Sequence, residues 1–333
     1  MATLHQVSAC CQAPIRRYGG RRRQCISCKR TWRLSKHKRG RNPKRCASAL
    51  LRRILLKGQT VENQVSHYPH LTVHALHKRV QRLIRLFLKR PSAVSPPLQD
   101  RYILIADGIW HTFQGKKWVL FLFLLKPRSL DYAYLLDPLI LPGKESYENW
   151  TTALQRALSQ ELQSRVIAFV SDDFRASRRI ADEHGWVHQL CHFHLIAALQ
   201  SRRGRWKQKI PSVSLREEIY QNIRYLLETT EEKEINPRII RLQEIAADPD
   251  CPGKLRGMAR EFLHTLPRYR NYLTYPAYNI PKTTNAVESW GKIIRRSTKQ
   301  LKTPSAVEDW ATVIARLRRT MICNGTHKKN QPN

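Results

Sequence analysis

The chain predicts an α/β fold: a mixed five-stranded sheet carrying an all-helical insertion, with two small basic modules in front of it. Three observations lead there. Apolar runs of strand length recur between residues 101 and 190, and amphipathic helical stretches separate the later ones. From Cys191 onward strand signals stop, and the sequence to about 275 is helical and polar. The first 45 residues hold many arginines and several cysteines but little apolar periodicity.

Composition bounds what such a chain can be. At 333 residues it has room for two or three domains of roughly 100–200 residues, and 41% hydrophobic content is enough for a real core. The longest apolar run, Trp118–Leu125, is far short of the ~20 residues a membrane helix needs and reads as a buried strand. No apolar stretch precedes a small-residue cleavage site near Met1, so a cytoplasmic, nucleoid-associated protein is expected rather than a secreted one. Sixty Lys and Arg against 25 Asp and Glu leave a net charge of +35. That excess repels itself unless a polyanion neutralises it, and nucleic acid is the usual one. The charge is concentrated in front, where residues 1–100 hold 23 basic residues and two acids, Glu62 and Asp100. Eight cysteines in a chain of this class point to reduced thiols or metal ligands.

Residues 1–45 read as a basic zinc-ribbon-like module. The pair Cys25-x-x-Cys28 lets two thiolates reach one tetrahedral zinc, and Trp32 stands just beyond it. The upstream half is incomplete: Cys10 and Cys11 are present, but Ser8 occupies the position where a second C-x-x-C ending at Cys11 needs a thiolate. The expected ligands are Cys11, Cys25 and Cys28, completed by Cys10, His5 or His37; the rival reading is a basic arm with incidental cysteines. Residues 46–91 read as a helix-turn-helix. Leu50, Leu51, Ile54 and Leu55 share one helical face, Thr60 caps a short helix to about Ser66, and Tyr68-Pro69-His70 turns the chain. Val73, Leu76, Val80, Leu83, Ile84 and Phe87 then line a longer helix whose other side carries Lys78, Arg79, Arg82 and Arg85. Such a helix suits a major groove, and Arg79 and Arg82 are its candidate DNA contacts. A plain helical hairpin with solvated charges is the alternative. Residues 92–99 form a Pro/Ser linker.

Strands are expected at Arg101–Ala106, Lys117–Leu125 and Tyr132–Leu141, then a helix over Ser146–Leu162. Val166–Val170 is a buried strand, 174–184 a helix, and Trp186–Leu190 the fifth strand. The order β-β-β-α-β-α-β is that of ribonuclease-H-like domains, here spanning 100–195 and 281–325. Residues 196–280 form the helical insertion, a helix restarts near Asn285, and a last one runs from Ser305, capped by Ser305 with Glu308, to about Met321.

In that order the first and fourth strands are neighbours, so Asp107 and Asp172, at their ends, lie side by side although 65 positions apart. Glu288 is the one acid between Phe262 and Ala306, on the closing helix. Hard oxygen ligands of this kind suit Mg²⁺ or Mn²⁺, and two such ions activate a water or 3′-hydroxyl and stabilise the leaving oxygen. Each acid also has an ordinary explanation. Asp107-Gly108 is a turn pair, Asp172 or Asp173 can cap the next helix, and Glu288 can close a capping box with Asn285. Asp173 competes with Asp172 as the second ligand.

Four segments resemble the Mutator-type DDE transposases of insertion sequences: Ile105-Ala106-Asp107-Gly108, Phe169-Val170-Ser171-Asp172, Gln189-Leu190-Cys191-His192-Phe193-His194 and Thr283-Thr284-Asn285-Ala286-Val287-Glu288-Ser289. The resemblance covers about 100–325. It implies a DNA transposase with Asp107, Asp172 and Glu288 as the catalytic triad and a helical insertion between the last two. Asp173 departs from the small residue usual after the second aspartate. Cys191 and His194, also typical of the family, are read as structural or DNA-contacting beside the site, with zinc ligation as the alternative. Beyond Glu288, Lys292, Arg295 and Arg296 form a basic helix whose expected role is to hold the scissile strand through phosphate contacts, with a solvated face as the alternative. The expected substrate is double-stranded DNA, both the element's terminal repeats and the target, with a homodimer or larger assembly joining two ends. The rival functions are a silent transposase-derived DNA-binding regulator and a ribonuclease-H-like nuclease that cuts without joining.

Overall fold

The computed structural model describes residues 15–18, 22–33, 48–89, 96–174, 176–206 and 212–323. The chain divides into two compact units, Met1–Ser48 and Ala49–Asn333. Among the described residues no helix is long and apolar enough to cross a membrane.

The first unit holds a three-stranded antiparallel sheet of β1 (Ile15–Arg17), β2 (Arg22–Cys25) and β3 (Thr31–Arg33). The turn between β2 and β3 contains the Cys25-x-x-Cys28 pair. It is closed by two backbone bonds, Lys29 N–H to the Cys25 carbonyl at 3.1 Å and Cys25 N–H to the Arg30 carbonyl at 2.9 Å. Lys29 takes the left-handed conformation in this turn (φ 62°). Cys25 is buried and Cys28 exposed. The other expected zinc ligands, His5, Cys10, Cys11 and His37, lie outside the described residues.

The second unit is built on a mixed seven-stranded sheet. Its order is β10-β6-β5-β4-β8-β9, with β7 also paired to β5. The long hairpin of β4 (Tyr102–Phe113) and β5 (Lys116–Pro127) forms its spine, closed by Gln114 and Gly115, both at positive φ as a tight two-residue turn requires. β8 (Val166–Ser171) and β9 (Val187–Leu190) extend β4 in parallel, while β6 (Tyr132–Leu135), β7 (Leu139–Pro142) and β10 (Thr320–Ile322) pair antiparallel. Two strands exceed the expected five. The stretch 132–141 splits at Asp137-Pro138, because proline has no N–H for the ladder. The last helix stops at Arg318, earlier than expected, because Arg319 turns to φ 68° and releases β10.

Both faces of the sheet are covered. Tyr102, Leu104 and Ala106 on β4, with Phe121 and Phe123 on β5, pack on α2 (Tyr147–Ala157) and its Trp150. Ile103, Ile105 and Ile109, the opposite parity, pack under α9 (Asn285–Thr298) and α10 (Pro304–Arg318). Strands buried on both sides read as continuous apolar runs, which is why Trp118–Leu125 shows no alternation. The same second core takes in Leu50 and Leu51 from the helical residues just before the π-helical turn Arg52–Leu56, Ile54 and Leu55 from that turn, and Leu76, Val80 and Ile84 from α1 (Val73–Leu88). Where the sequence predicts a separate helix-turn-helix over 46–91, everything from Ala49 onward belongs to one unit with the sheet. Arg82 is exposed on α1, while Arg79 is half-buried with its guanidinium over the Tyr68 ring at 5.4 Å.

The remaining helices are α3 (Gln160–Gln163), α4 (Ser177–His184), α5 (His192–Trp206), α6 (Val213–Glu228), α7 (Glu232–Ala247) and α8 (Gly253–Thr274). The last four make the helical segment expected at 196–280, starting a turn earlier at His192. It has a core of its own around Ile219, Ile223, Leu242, Leu255 and Phe262.

Candidate metal centre

Asp107 does not end its strand, as the sequence suggests; β4 continues to Phe113. What ends near Asp107 is the parallel pairing with β8, whose last partners are Ile105 and Val170. Beyond that point β4 pairs with β5 alone. Asp172 follows the last residue of β8, where the pairing with β4 has already ended. Asp107 has the parity of Ile105 and Ile109, so it points to the sheet face that α9 covers, and α9 carries Glu288 in its first turn. The expected triad is brought to one edge of the sheet.

His194 links its members. One ligand atom from each of Asp107, Asp172 and His194 lies within 4.8 Å of the others. The His194 Nε2 is 3.3 Å from Glu288 Oε1, close enough for charge attraction but without hydrogen-bond alignment. The capping box that would give Glu288 an ordinary explanation is not formed: Asn285 N–H turns to Thr283 Oγ1 at 3.5 Å. Asp172 caps no helix either, since α4 starts at Ser177. Asp173 is exposed, while Asp172 is the one in the cluster.

Cys191 sets the distance between these pieces. Its thiol sulfur, fully buried, accepts from both Thr284 N–H and Thr284 Oγ1–H at 3.2 Å each. Cys191 N–H donates to Ser171 O at 2.9 Å, and His192 N–H to Lys282 O at 3.0 Å. The end of β8, the end of β9 and the start of α9 are thus stitched together through one cysteine.

A fourth carboxylate, Glu145, was not identified from sequence. It precedes α2 on the opposite sheet face and fills the place of the side chain Gly108 lacks. A β-carbon at Gly108 would sit 2.8 Å from the Glu145 carboxyl carbon and from Oε1. The glycine of the Asp-Gly pair therefore does more than turn a chain: it admits an acid beside Asp107. The signal available was Glu145 next to the cap Ser146, whose Oγ accepts from Asn149 N–H, but nothing local tells such an acid from an ordinary helix-start residue.

The electrostatics follow from burying acids together. Burial, then the neighbouring Asp107 charge, pushes Asp172 up to about 6. Burial, then Asp172 and Asp107, pushes Glu145 up to about 7. Burial also raises Asp107 and Glu288, with His194 and Arg295 pulling both back. The His194 imidazole is pushed up to about 9, first by its contact with the Cys191 sulfur, then by Asp172 and Glu288, against the effect of burial. Orphaned buried atoms remain in the cluster: Asp172 Oδ1, Glu288 Oε1 and His194 Nδ1 have no hydrogen-bond partner. Converging acids that resist ionisation, together with unsatisfied lone pairs, fit a divalent cation among them. Lys292, Arg295 and Arg296 are exposed on α9. Lys292 and Arg295 act on Glu288, while Arg296 donates to the Leu56 carbonyl at 2.6 Å and braces the π-helical turn.

No protein-family model matches this chain, and neither does any curated protein.

Proposed function

We propose that the chain is a DNA transposase of the Mutator-type DDE class, with a ribonuclease-H-like catalytic domain and a zinc-ribbon-like module in front. One observation carries the reading: Asp107, Asp172 and, through His194, Glu288 converge at the edge where the parallel pairing of β4 and β8 gives out. These residues are drawn from three distant segments, and no single local motif would bring them together. The strand order, three antiparallel strands extended by two parallel ones, also supports the fold assignment.

In this reading Asp107, Asp172 and Glu288 hold Mg²⁺ or Mn²⁺, with Glu145 adding negative charge behind Asp107. The bound ions supply Lewis acidity and an activated oxygen nucleophile. The protein's own groups do the rest. Lys292 and Arg295, exposed beside Glu288, take the phosphates of the scissile strand. His194 keeps a proton between Asp172 and Glu288 and balances their charge when the cation is away. In the first step a water oxygen attacks phosphorus and the P–O3′ bond breaks, freeing the element's 3′-hydroxyl. In the second that hydroxyl attacks a target phosphodiester, and a target 3′-oxygen leaves with a proton. Phosphodiester bonds broken and formed balance in the joining step, so no external energy source is needed. Joining two ends calls for at least two protomers. Arg79 and Arg82 on α1, with the basic first unit, are the candidate grips on the terminal repeats.

The test is Mn²⁺- and Mg²⁺-dependent cleavage and joining of labelled duplexes carrying the inverted repeats that bound the gene. Cutting and joining by the wild type, lost by at least about a hundredfold in Glu288→Gln and Asp107→Asn, is the expected result. Binding without cutting would replace this reading with a DNA-binding regulator. Cutting without joining would point to a nuclease, and equal activity in the variants would refute the site.

A further inference from the structure

The imidazole of His188 takes no part in the chemistry above, yet it sits at the centre of a directed chain of hydrogen bonds. It lies on β9, 4% exposed, stacked on Phe169 at 5.5 Å. Its Nδ1 is 3.2 Å from Arg268 Nη1. A guanidinium only donates, so Nδ1 must be the lone-pair nitrogen and the ring proton must be on Nε2. That Nε2, 3.1 Å from Ser171 Oγ, then donates to the serine. The Ser171 hydroxyl is left to donate its own hydrogen, and it does so to the Asp172 carbonyl at 2.8 Å. Each link fixes the direction of the next. Burial, helped by Arg268 and Arg178, holds the His188 ring well below its ordinary value, at about 3. The ring therefore stays neutral at working pH, and the chain orients groups without shuttling protons.

Arg268 belongs to α8, the last helix of the helical segment, where Asp182 Oδ2 lies 3.7 Å from its other nitrogen. The same turn of α8 is docked on β9 by further bonds. Asn271 Nδ2 donates to His188 O at 2.7 Å, Gln189 Nε2 donates to Tyr269 O at 2.9 Å, and Tyr272 N–H donates to Gln189 Oε1 at 2.9 Å. Both main-chain and side-chain groups of β9 are thereby referred to α8 rather than to solvent.

We propose that Arg268, His188 and Ser171 are positioning residues through which the helical segment 192–274 sets the backbone at Asp172, and with it the cation affinity of the metal centre. The proposal rests on the metal-site reading above. A carbonyl held from behind fixes the peptide plane that carries the Asp172 side chain. Groups that orient metal ligands in this way are worth roughly ten- to a hundredfold in affinity when removed. The seating of α8 thereby becomes a control on the site, and whatever engages the helical segment is read out at Asp172.

The experiment measures Mn²⁺ affinity of the full chain by electron paramagnetic resonance, with unfolding temperature in EDTA as the control. His188→Phe keeps an aromatic ring over Phe169 but cannot donate to Ser171. Arg268→Gln and Ser171→Ala cut the chain at its two ends. The expected result is about tenfold weaker Mn²⁺ binding in all three, at an unfolding temperature close to wild type. His188→Gln, whose amide nitrogen reaches the Nε2 position, restores most of the affinity. Wild-type Mn²⁺ affinity in Ser171→Ala, the smallest change and the one least able to disturb folding, would overturn the proposal. So would weakening in His188→Phe that His188→Gln does not relieve. Mn²⁺ binding that survives Asp107→Asn unchanged would instead remove the metal-site reading, and the positioning role would fall with it.

Discussion

If the cluster of buried acids holds a cation, as proposed, its removal should leave a stability signature that can be worked out in sign and size. Asp172, lifted from 3.8 to about 6, makes its ionised form about 3 kcal/mol less favourable in the folded chain than in the unfolded one. Acids raised by folding contribute stability below their unfolded values and lose it as pH rises through the folded ones. For Asp172 and Glu145 that window runs from about 4 to about 7. His194, raised from 6.5 to about 9, loses its contribution over a higher window in the same direction. It is partly exposed, so about 1–2 kcal/mol is the discounted figure. Below about 6.5 the buried His188 and His192, both lowered, work the other way, because the unfolded chain takes up protons they refuse. The clean window is therefore about pH 6.5 to 8.5. Urea unfolding in EDTA should show stability falling across it by about 1–2 kcal/mol. Saturating Mn²⁺ should reverse the trend, stabilising more at the higher pH, where no proton competes for the carboxylates. A hundredfold excess over the dissociation constant is worth about 2.7 kcal/mol. Stability that is flat or rising in EDTA, or a Mn²⁺ effect independent of pH, would refute the account of the cluster.

Two further substitutions test separate parts of the architecture. Gly108→Ala places a methyl against the Glu145 carboxylate, which is the end of a flexible side chain and swings outward. Cleavage at limiting Mn²⁺ should fall about tenfold while folding stability changes by under about 1 kcal/mol; unchanged cleavage would show Glu145 to be a bystander. Arg316, on α10, makes a bidentate pair with Asp137 (closest approach 2.6 Å) and donates to the Leu88 carbonyl at the end of α1. Arg316→Ala should cost about 2–4 kcal/mol in urea unfolding, in one transition shared by all probes; a loss below about 0.5 kcal/mol, or two separate transitions, would show that α1 folds apart from the sheet.

The strands were legible where apolar runs were long. Lys117–Leu125 and Val166–Val170 were placed to within a few residues because a strand covered on both faces must be continuously apolar. The far half of β4 was not legible. Gly108–Phe113 mixes a glycine, a histidine and an exposed tryptophan, and it is a strand because β5 pairs with it along its whole length, not because of its own pattern. The extra strands were hidden for a similar reason. Thr320–Ile322 joins the sheet only by matching Tyr132–Tyr134 across nearly two hundred residues. The cap on the last helix was misplaced by two residues: Thr303 accepts from Ala306 N–H, and Glu308, expected to close that cap with Ser305, takes the Ile140 N–H instead. Residues 49–88 show the limit most clearly. Their amphipathic pattern established helices with one apolar face, but a pattern does not say what covers that face. Here it is α9 and α10 themselves, which pack between this segment and the sheet.

The site divides along the same line. Asp107 and Asp172 could be found because strand ends are local features and strand order brings two of them together. Glu288 could be found because the surrounding sequence is so poor in acids that it stands alone. Glu145 could not, since its position depends on the absence of a side chain at Gly108, far off in sequence and on a different element. His194 was noticed as a neighbour of Cys191, but its place between Asp172 and Glu288 is a tertiary fact. These two residues change the chemistry that the triad alone would predict. Three acids in a strongly basic protein need only a cation to be stable together. Four acids with an imidazole held to a proton up to about 9 have an internal counter-charge, and if a cation binds there, as proposed, that proton would be displaced. Metal affinity should then rise with pH until the imidazole is neutral. With Glu145 at about 7, carboxylates alone would stop competing with protons near there, so a Mn²⁺ affinity that goes on rising towards about 9 marks the imidazole, and one that levels off near 7 rules it out.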